Sequence, residues 1–126
     1  MYRCVIAACA VLSIAAPVAA QVQRNFPQNA LRGSLVIDSP PQVTLNGRPA
    51  RLAPGARIRG TRNMLEMSGA LVGLKLLVHY TVDTEGLVKD VWILTPEEAA
   101  KKPWPTAAIE TQTWTFDPVA QVWRKP

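Results

Sequence analysis

HYTVDTEGLVKDVWILTPEE, residues 79–98, has the pattern of a β-hairpin followed by the start of a helix. Leu76, Val78, Tyr80 and Val82 share one face of the first strand, and Leu77 lies on the other face with the polar residues. DTEG at 83–86 is rich in residues that favour turns, and LVKDVWIL then supplies the second strand. The apolar residues of that second strand share a face only if it carries a bulge near Lys89.

The end of this stretch, TPEE at 95–98, predicts a helix start of the capping-box type, in which the threonine and the second glutamate cap each other's backbone N–H. Pro103 ends this helix after about two turns. PTAAIE at 105–110 can begin a second short helix. The alternation in TQTWTF at 111–116 then predicts a strand, with which VAQVW at 119–123 can pair.

The first half of the chain has the pattern of short strands separated by turns. SLVID at 34–38 and QVTL at 42–45 are β-like runs. Asn46-Gly47 favours the positive φ angles of a type I′ turn, so QVTL and RPARL at 48–52 are predicted to form a hairpin. Pro54-Gly55 predicts a further turn before the strand ARIRG.

The N-terminus has the pattern of a signal peptide. Arg3 supplies a positive charge, residues 4–16 are apolar, and VAA at 18–20 fits a cleavage site, so Gln21 would begin the mature chain. The alternative is a membrane anchor, but an anchor needs about 20 apolar residues and this run is shorter. We therefore predict an exported protein, periplasmic or secreted, without a transmembrane helix in its mature chain.

The domain organisation follows from these patterns. Residues 1–20 are the predicted signal peptide, 21–33 a flexible lead-in, and 34–126 a single β-rich domain. The number of turns predicts a mainly β (α+β) fold, a small antiparallel sheet or barrel of about five to seven short strands. One or two short helices are expected near residues 96–112.

Composition restricts the chemistry of the mature chain. Both cysteines, Cys4 and Cys9, lie in the predicted signal peptide, so disulfides and thiol chemistry are excluded after cleavage. The mature chain would carry 13 basic and 9 acidic residues. Seven arginines but one acid, Asp38, lie between Arg24 and Arg62, so this half is expected to present an anion-attracting surface.

Catalytic and metal-binding patterns are missing from the sequence. The one histidine, His79, lies in mid-strand, where we interpret it as a residue on the polar face of the hairpin. A zinc site needs three or four Cys, His or carboxylate ligands. Asp83, Glu85 and Asp90 surround a turn without the spacing of a calcium loop. We therefore predict no enzyme activity, no cofactor and no metal.

The arginines of the first half form a candidate anion-binding set. Residues two apart in a strand share a face, so Arg57 and Arg59 can present their guanidinium groups together to lipid phosphates or to an acidic partner. The alternative is a solvated face that protects strand edges from aggregation. Nucleic acid is an unlikely partner for an exported chain, although the pattern leaves open a small barrel of the oligonucleotide-binding type. The candidates are Arg48, Arg51, Arg57, Arg59 and Arg62.

VHYTVDTEGLVKDVWIL at 78–94, followed by WTFDP at 114–118, resembles the C-terminal domain of TonB-type energy transducers. The likeness covers about 40 of the 126 residues. It implies a two-layer α+β domain with an antiparallel sheet, which recruits a partner by offering a strand edge. On this resemblance the final strand, 119–123, would be that edge, and the candidate partner-binding residues are Val119, Val122 and Trp123.

The function predicted from the sequence is therefore binding. We expect an exported, non-enzymatic module of the cell envelope that binds a protein or peptide through a β-strand edge. The alternative is a small β-barrel that binds lipid phosphate or another polyanion on its arginine-rich face. The four tryptophans, all in the last 35 residues, are expected to belong mainly to the core.

Overall fold

The computed structural model describes residues 23–126, so the predicted signal peptide and its two cysteines lie outside the described residues. The strands are β1 Leu31–Ser39, β2 Gln42–Leu45, β3 Arg48–Arg59, β4 Leu65–Glu66, β5 Lys75–Val82, β6 Val88–Ile93, β7 Thr115–Asp117 and β8 Val122–Arg124. The helices are α1 Pro96–Ala99 and α2 Ala108–Thr113, and a 3-10 turn spans Ser68–Leu71.

Five of these strands close into a barrel. They pair in the order β2-β1-β5-β6-β3, and β3 pairs again with β2. All pairs in this ring are antiparallel except β3 with β6, which run parallel. The predicted mainly β fold with two short helices is thus confirmed, and it takes the form of a barrel. The eight strands exceed the predicted number by one, and β4 has only two residues.

The local turn predictions in the two hairpins are confirmed. Asn46 and Gly47 have φ angles of 53° and 78°, as a type I′ turn requires. In the second hairpin, Asp83 Oδ1 accepts hydrogen bonds from the N–H groups of Glu85 and Leu87. The predicted bulge is Lys89, because Thr81 pairs with Asp90 whereas Val82 pairs with Val88.

The turn predicted at Pro54-Gly55 is wrong, since β3 runs through it without reversing direction. Gly55 has a φ of 76°, and the pairing with β6 shifts register between Leu52 and Arg57. The two residues therefore form an irregularity inside one long strand. A glycine can adopt this positive φ without a steric penalty. The strand therefore bends around the barrel at Gly55 instead of ending there.

The barrel interior holds one hydrophobic core. Leu35, Ile37, Val78 and Val91 are fully buried there. Each strand contributes the alternate residues that point inward, which is the pattern of a half-buried strand.

A second core covers the outside of the barrel. It contains Phe26, Ala30, Leu94, Trp104 and Trp123, which come from the N-terminal segment and from the residues after β6. Trp104 and Trp123 are buried, and Trp92 and Trp114 pack partly buried against the same cluster. The segment assigned above to the lead-in thus supplies Phe26 and Ala30, and β1 already begins at Leu31.

The strand predicted at residues 111–116 is in part a helix, because α2 continues to Thr113. Glu110 Oε1 accepts hydrogen bonds from the N–H groups of Thr106 and Ala107, which fixes the first turn. The hydroxyls of Thr111 and Thr113 donate to carbonyls three residues earlier, an arrangement that lets threonine occupy a helix. The first strand of the tail is therefore shorter than predicted and comprises only β7, Thr115–Asp117.

α1 begins with the predicted capping box. Thr95 Oγ1 accepts from the Glu98 N–H at 3.2 Å, and Glu98 Oε1 accepts from the Thr95 N–H at 2.9 Å. The helix is a single turn of four residues, shorter than predicted, so its position depends on these caps.

The Thr95→Ala substitution is expected to lower the free energy of unfolding by about 1 kcal/mol, because it removes a helix cap. Urea unfolding followed by tryptophan fluorescence measures this loss. Thr95→Ser keeps the hydroxyl and is the matched control, for which we expect less than half of the loss. An alanine variant as stable as the wild type would show that the cap does not hold α1.

Candidate functional site

The candidate arginines occupy two separate regions of β3. Ile58 points into the barrel, so its neighbours Arg57 and Arg59 point outward, and Arg62 follows in the exposed loop. Arg48 and Arg51 lie at the other end of the strand, and Arg51 is roughly 20 Å from Arg57 along the strand at its usual rise per residue. The fold thus places Arg57 and Arg59 on one face, with Arg62 in the loop that follows, and Arg48 and Arg51 at the other end of the strand.

None of the five candidate arginines has an ion-pair partner within residues 23–126. The ion pair in this part of the chain joins Arg24 to Glu98. Asp90 lies opposite Arg57 in the parallel ladder, where its Oδ2 accepts a hydrogen bond from Thr81 at 3.4 Å. Arg57 and Arg62 are exposed and Arg59 is half-buried.

The candidate strand-edge residues are placed differently from one another. Val119 is 85% exposed and lies in the turn before β8, because Asp117 Oδ1 accepts from the Val119 and Ala120 N–H groups and holds the chain there. Val122 and Trp123 lie in β8, which pairs with β7. The Trp123 side chain packs in the second core, so it contributes backbone but no side chain to an outer surface.

A buried polar cluster, which no pattern in the sequence predicts, lies between the barrel and the second core. Its centre is Arg32, whose side chain is 8% exposed. The guanidinium donates to the carbonyls of Glu98 at 2.8 Å, Ala99 at 3.2 Å and Lys101 at 2.8 Å. These carbonyls lie at the C-terminal end of α1, where a positive charge is stabilising. Burial lowers the pKa of Arg32, and the negative charge of Glu98 opposes this shift.

His79 lies on the face of β5 opposite the barrel core, as the polar-face interpretation predicts, but it is fully buried there. Its ring stacks on Trp104 with 4.0 Å between centroids, and the edge contact with Phe26 is 4.4 Å. The polar face of the hairpin is covered by the second core, which comes from sequence-distant segments.

The protonation of His79 follows from its contact with Arg32. Arg32 Nε and Nη2 lie 3.2 and 3.1 Å from His79 Nε2. Because a guanidinium only donates, Nε2 is the acceptor and the neutral ring carries its proton on Nδ1. Nδ1 is buried and has no hydrogen-bond partner among the described residues. Burial, and then the charges of Arg32 and Arg24, lower the pKa of His79 from 6.5 to about 2.

Arg24 joins this cluster to the ends of the barrel strands. It donates to both carboxylate oxygens of Glu98, to the Gly60 carbonyl at 2.8 Å and to the Ile93 carbonyl at 2.7 Å. Burial alone would raise the pKa of Glu98, but hydrogen bonds from Arg24 and Thr95 outweigh it and lower that pKa. The contacts fix the N-terminal segment to α1, β3 and β6.

A cleft of about 870 Å³ opens beside the cluster. Phe26, His79 and Trp104 form its floor, and its rim contains Arg62, Glu97 and Lys101. The floor side chains are at most 5% exposed, and the polar groups of Arg24 and Glu98 are satisfied by each other. We therefore interpret the cluster as a structural joint between the barrel and its covering segments.

Searches for known features and known relatives gave negative results. Residues 23–126 contain no group of three or more His, Cys, Asp or Glu side chains placed to hold a metal ion. In the same part of the chain, no helix has the length and hydropathy needed to cross a membrane. No family model, curated protein or solved structure matches the chain.

Proposed function

We propose that the chain is an exported, non-enzymatic binding domain of the cell envelope, and that it takes an anionic ligand on the outward face of β3. The observation that carries this proposal is the placement of Arg57 and Arg59 side by side on that face, with Arg62 next in the chain and no ion pair to any of them within residues 23–126. Guanidinium groups bind phosphate and carboxylate through paired, charge-assisted hydrogen bonds.

The barrel supports this use of β3. Its five strands all have partners on both sides over part of their length, so the scaffold is rigid and offers the outer faces of its strands to a ligand. In small five-stranded barrels of the oligonucleotide-binding type, the face of the second and third strands takes the ligand. That parallel is one of architecture alone, and the arginines supply the chemistry.

The environment of His79 supports a role without catalysis. A general base needs an accessible lone pair and a pKa near the working pH. Arg32 already donates to Nε2, and the pKa of His79 is about 2. The histidine therefore serves the packing of the second core.

Strand-edge binding, which the TonB-type resemblance implies, stays a prediction. β8 has three residues and pairs with β7, so the edge that it could offer to a peptide is short. We place this mode second to anion binding, since the five arginines of the β3 region are exposed or half-buried and the Trp123 side chain is buried.

Heparin is a suitable soluble polyanion with which to test the proposal. We expect the protein, expressed from its full sequence, to bind heparin with an affinity that falls steeply as salt is raised. The Arg57→Gln/Arg59→Gln variant should bind about tenfold more weakly, because each exposed ionic contact contributes up to about 1 kcal/mol. Isothermal titration calorimetry at two salt concentrations measures both effects.

The matched control is Arg48→Gln/Arg51→Gln, which removes the same charge from the other end of β3. We expect it to weaken binding by less than about threefold, through the long-range field alone. Equal affinities of the two double variants would show that heparin binding depends on the net charge of the protein and not on the outward face of β3. Salt-independent binding, or none, would overturn the proposed function.

A further inference from the structure

An apolar loop projects next to the arginines of β3. All residues from Thr61 to Met67 are exposed, and Met64, Leu65 and Met67 are 67%, 69% and 80% exposed. Leu65 and Met67 are two positions apart in an extended segment, so they lie on the same side, and exposed apolar side chains placed together mark interaction sites in soluble proteins. We call Leu65 and Met67 the apolar loop.

The loop has a fixed conformation. The Gly60 N–H donates to the Met64 carbonyl at 2.9 Å, and the Asn63 N–H donates to the Gly60 carbonyl at 2.9 Å. Asn63 has a φ of 62°, a conformation that asparagine tolerates. The hairpin between β3 and β4 therefore fixes the backbone that leads into the apolar side chains.

The strand register puts apolar and cationic groups on the same face. Arg59 pairs with Leu65 and Ile58 with Glu66, so the same register continued by one residue places Met67 opposite Arg57. Directly opposed residues point to the same side of a sheet. The Glu66 carboxylate lies on the other side, 2.7 Å from where a Cβ on Gly60 would be. Asp90 lies opposite Arg57 on this face, and Glu97 lies with Arg62 at the rim of the cleft.

We propose that this face docks on an anionic phospholipid bilayer, with the apolar loop inserted between the headgroups and Arg57, Arg59 and Arg62 on the phosphates. The proposal rests on the proposed function and names its ligand. Charge complementarity favours a surface rich in phosphate, and buried acyl chains accept projecting side chains without a matching pocket. A protein partner would instead need a concave surface complementary to the loop.

Vesicle binding and a local fluorescent probe test the insertion. Met67→Cys, labelled with the environment-sensitive dye NBD in a Cys4→Ala/Cys9→Ala background, should shift to shorter wavelength on vesicles that contain phosphatidylglycerol. It should not shift on vesicles of phosphatidylcholine alone. Val119→Cys is the matched control, since Val119 is another highly exposed apolar residue outside the loop, and its dye should not respond.

The Leu65→Ser/Met67→Ser variant separates the two proposals. We expect it to bind vesicles about tenfold more weakly, because burial of its two apolar side chains is lost, and to bind heparin within twofold of the wild type. If the dye at position 67 is silent and this variant still binds vesicles normally, insertion is wrong while anion binding stands. If neither heparin nor vesicles bind, both proposals fall. If the wild type binds an acidic protein but not vesicles, and the variant does not bind that protein, the partner is a protein and the bilayer proposal is overturned.

Discussion

The Arg32→Ala variant is expected to unfold with a free energy about 3–4 kcal/mol lower than that of the wild type. The substitution removes the donor to three carbonyls and to His79 Nε2, and of these four acceptors the Glu98 carbonyl keeps a donor in the Lys101 N–H. An unsatisfied buried acceptor costs about 1–3 kcal/mol, although some of the carbonyls can recover a water. Because a domain of this size has a total stability of about 5–15 kcal/mol, the variant should lose about a fifth or more of its stability.

Two further variants make this result interpretable. Arg32→Lys keeps the charge but presents a single ammonium group, which cannot reach all four acceptors, so an intermediate loss is expected. Arg62→Ala removes an exposed arginine and should change stability by less than about 0.5 kcal/mol. Denaturant unfolding monitored by circular dichroism gives all three values. A loss below about 1 kcal/mol for Arg32→Ala would mean that the guanidinium is not the joint between the barrel and α1.

The contrast between Arg32 and the turns explains what the sequence could and could not predict. The Asn46-Gly47 turn, the Lys89 bulge and the Thr95 capping box depend on residues within a few positions of one another, so their patterns are visible locally. Arg32 and His79 meet across 47 positions of the chain. No spacing of residues in the sequence predicts such a contact.

The burial of His79 also could not be predicted from the sequence, because it depends on packing between distant segments. The period of two in β5 correctly assigns Val78 and Tyr80 to the inner face. It cannot show that the opposite face is covered, because the cover comes from Phe26 and Trp104 in other segments. Phe26 is the one large aromatic residue in the segment 21–33, and it was the local hint that this segment packs.

The sequence predicts the placement of some of the anion-binding candidates but not of the residues beside them. A spacing of two in an extended strand is enough to place Arg57 and Arg59 on one face, and they lie there. Their relation to Leu65 and Met67 is set by the β3–β4 register, which a two-residue strand does not reveal in the sequence. The bulge at Gly55, where the sequence predicts a turn, similarly depends on the pairing of β3 with β6.

The stability of the protein is expected to fall by about 2 kcal/mol between pH 7 and pH 5, through His79 alone. The pKa of His79 is about 2 in the folded chain and about 6.5 when unfolded, so between these values the unfolded chain binds one more proton. Its contribution to stability is complete above about pH 6.5 and falls by about 1.4 kcal/mol per pH unit towards pH 2. The pKa of Glu98 is also lowered, but its contribution is lost only below its unfolded value of 4.5, outside this range.

The chain contains one histidine, so a single substitution isolates this effect. His79→Gln keeps an acceptor for Arg32 and cannot titrate, and its free energy of unfolding should be nearly constant from pH 7 to pH 5. Urea unfolding of both proteins across this range measures the difference in slope. A wild type with the same flat profile as His79→Gln would mean that the imidazole can take up its proton without leaving the fold. In that case the stacking on Trp104 and the contact with Arg32 would have to open at little cost, and the second core would be a loosely held cover instead of a packed layer.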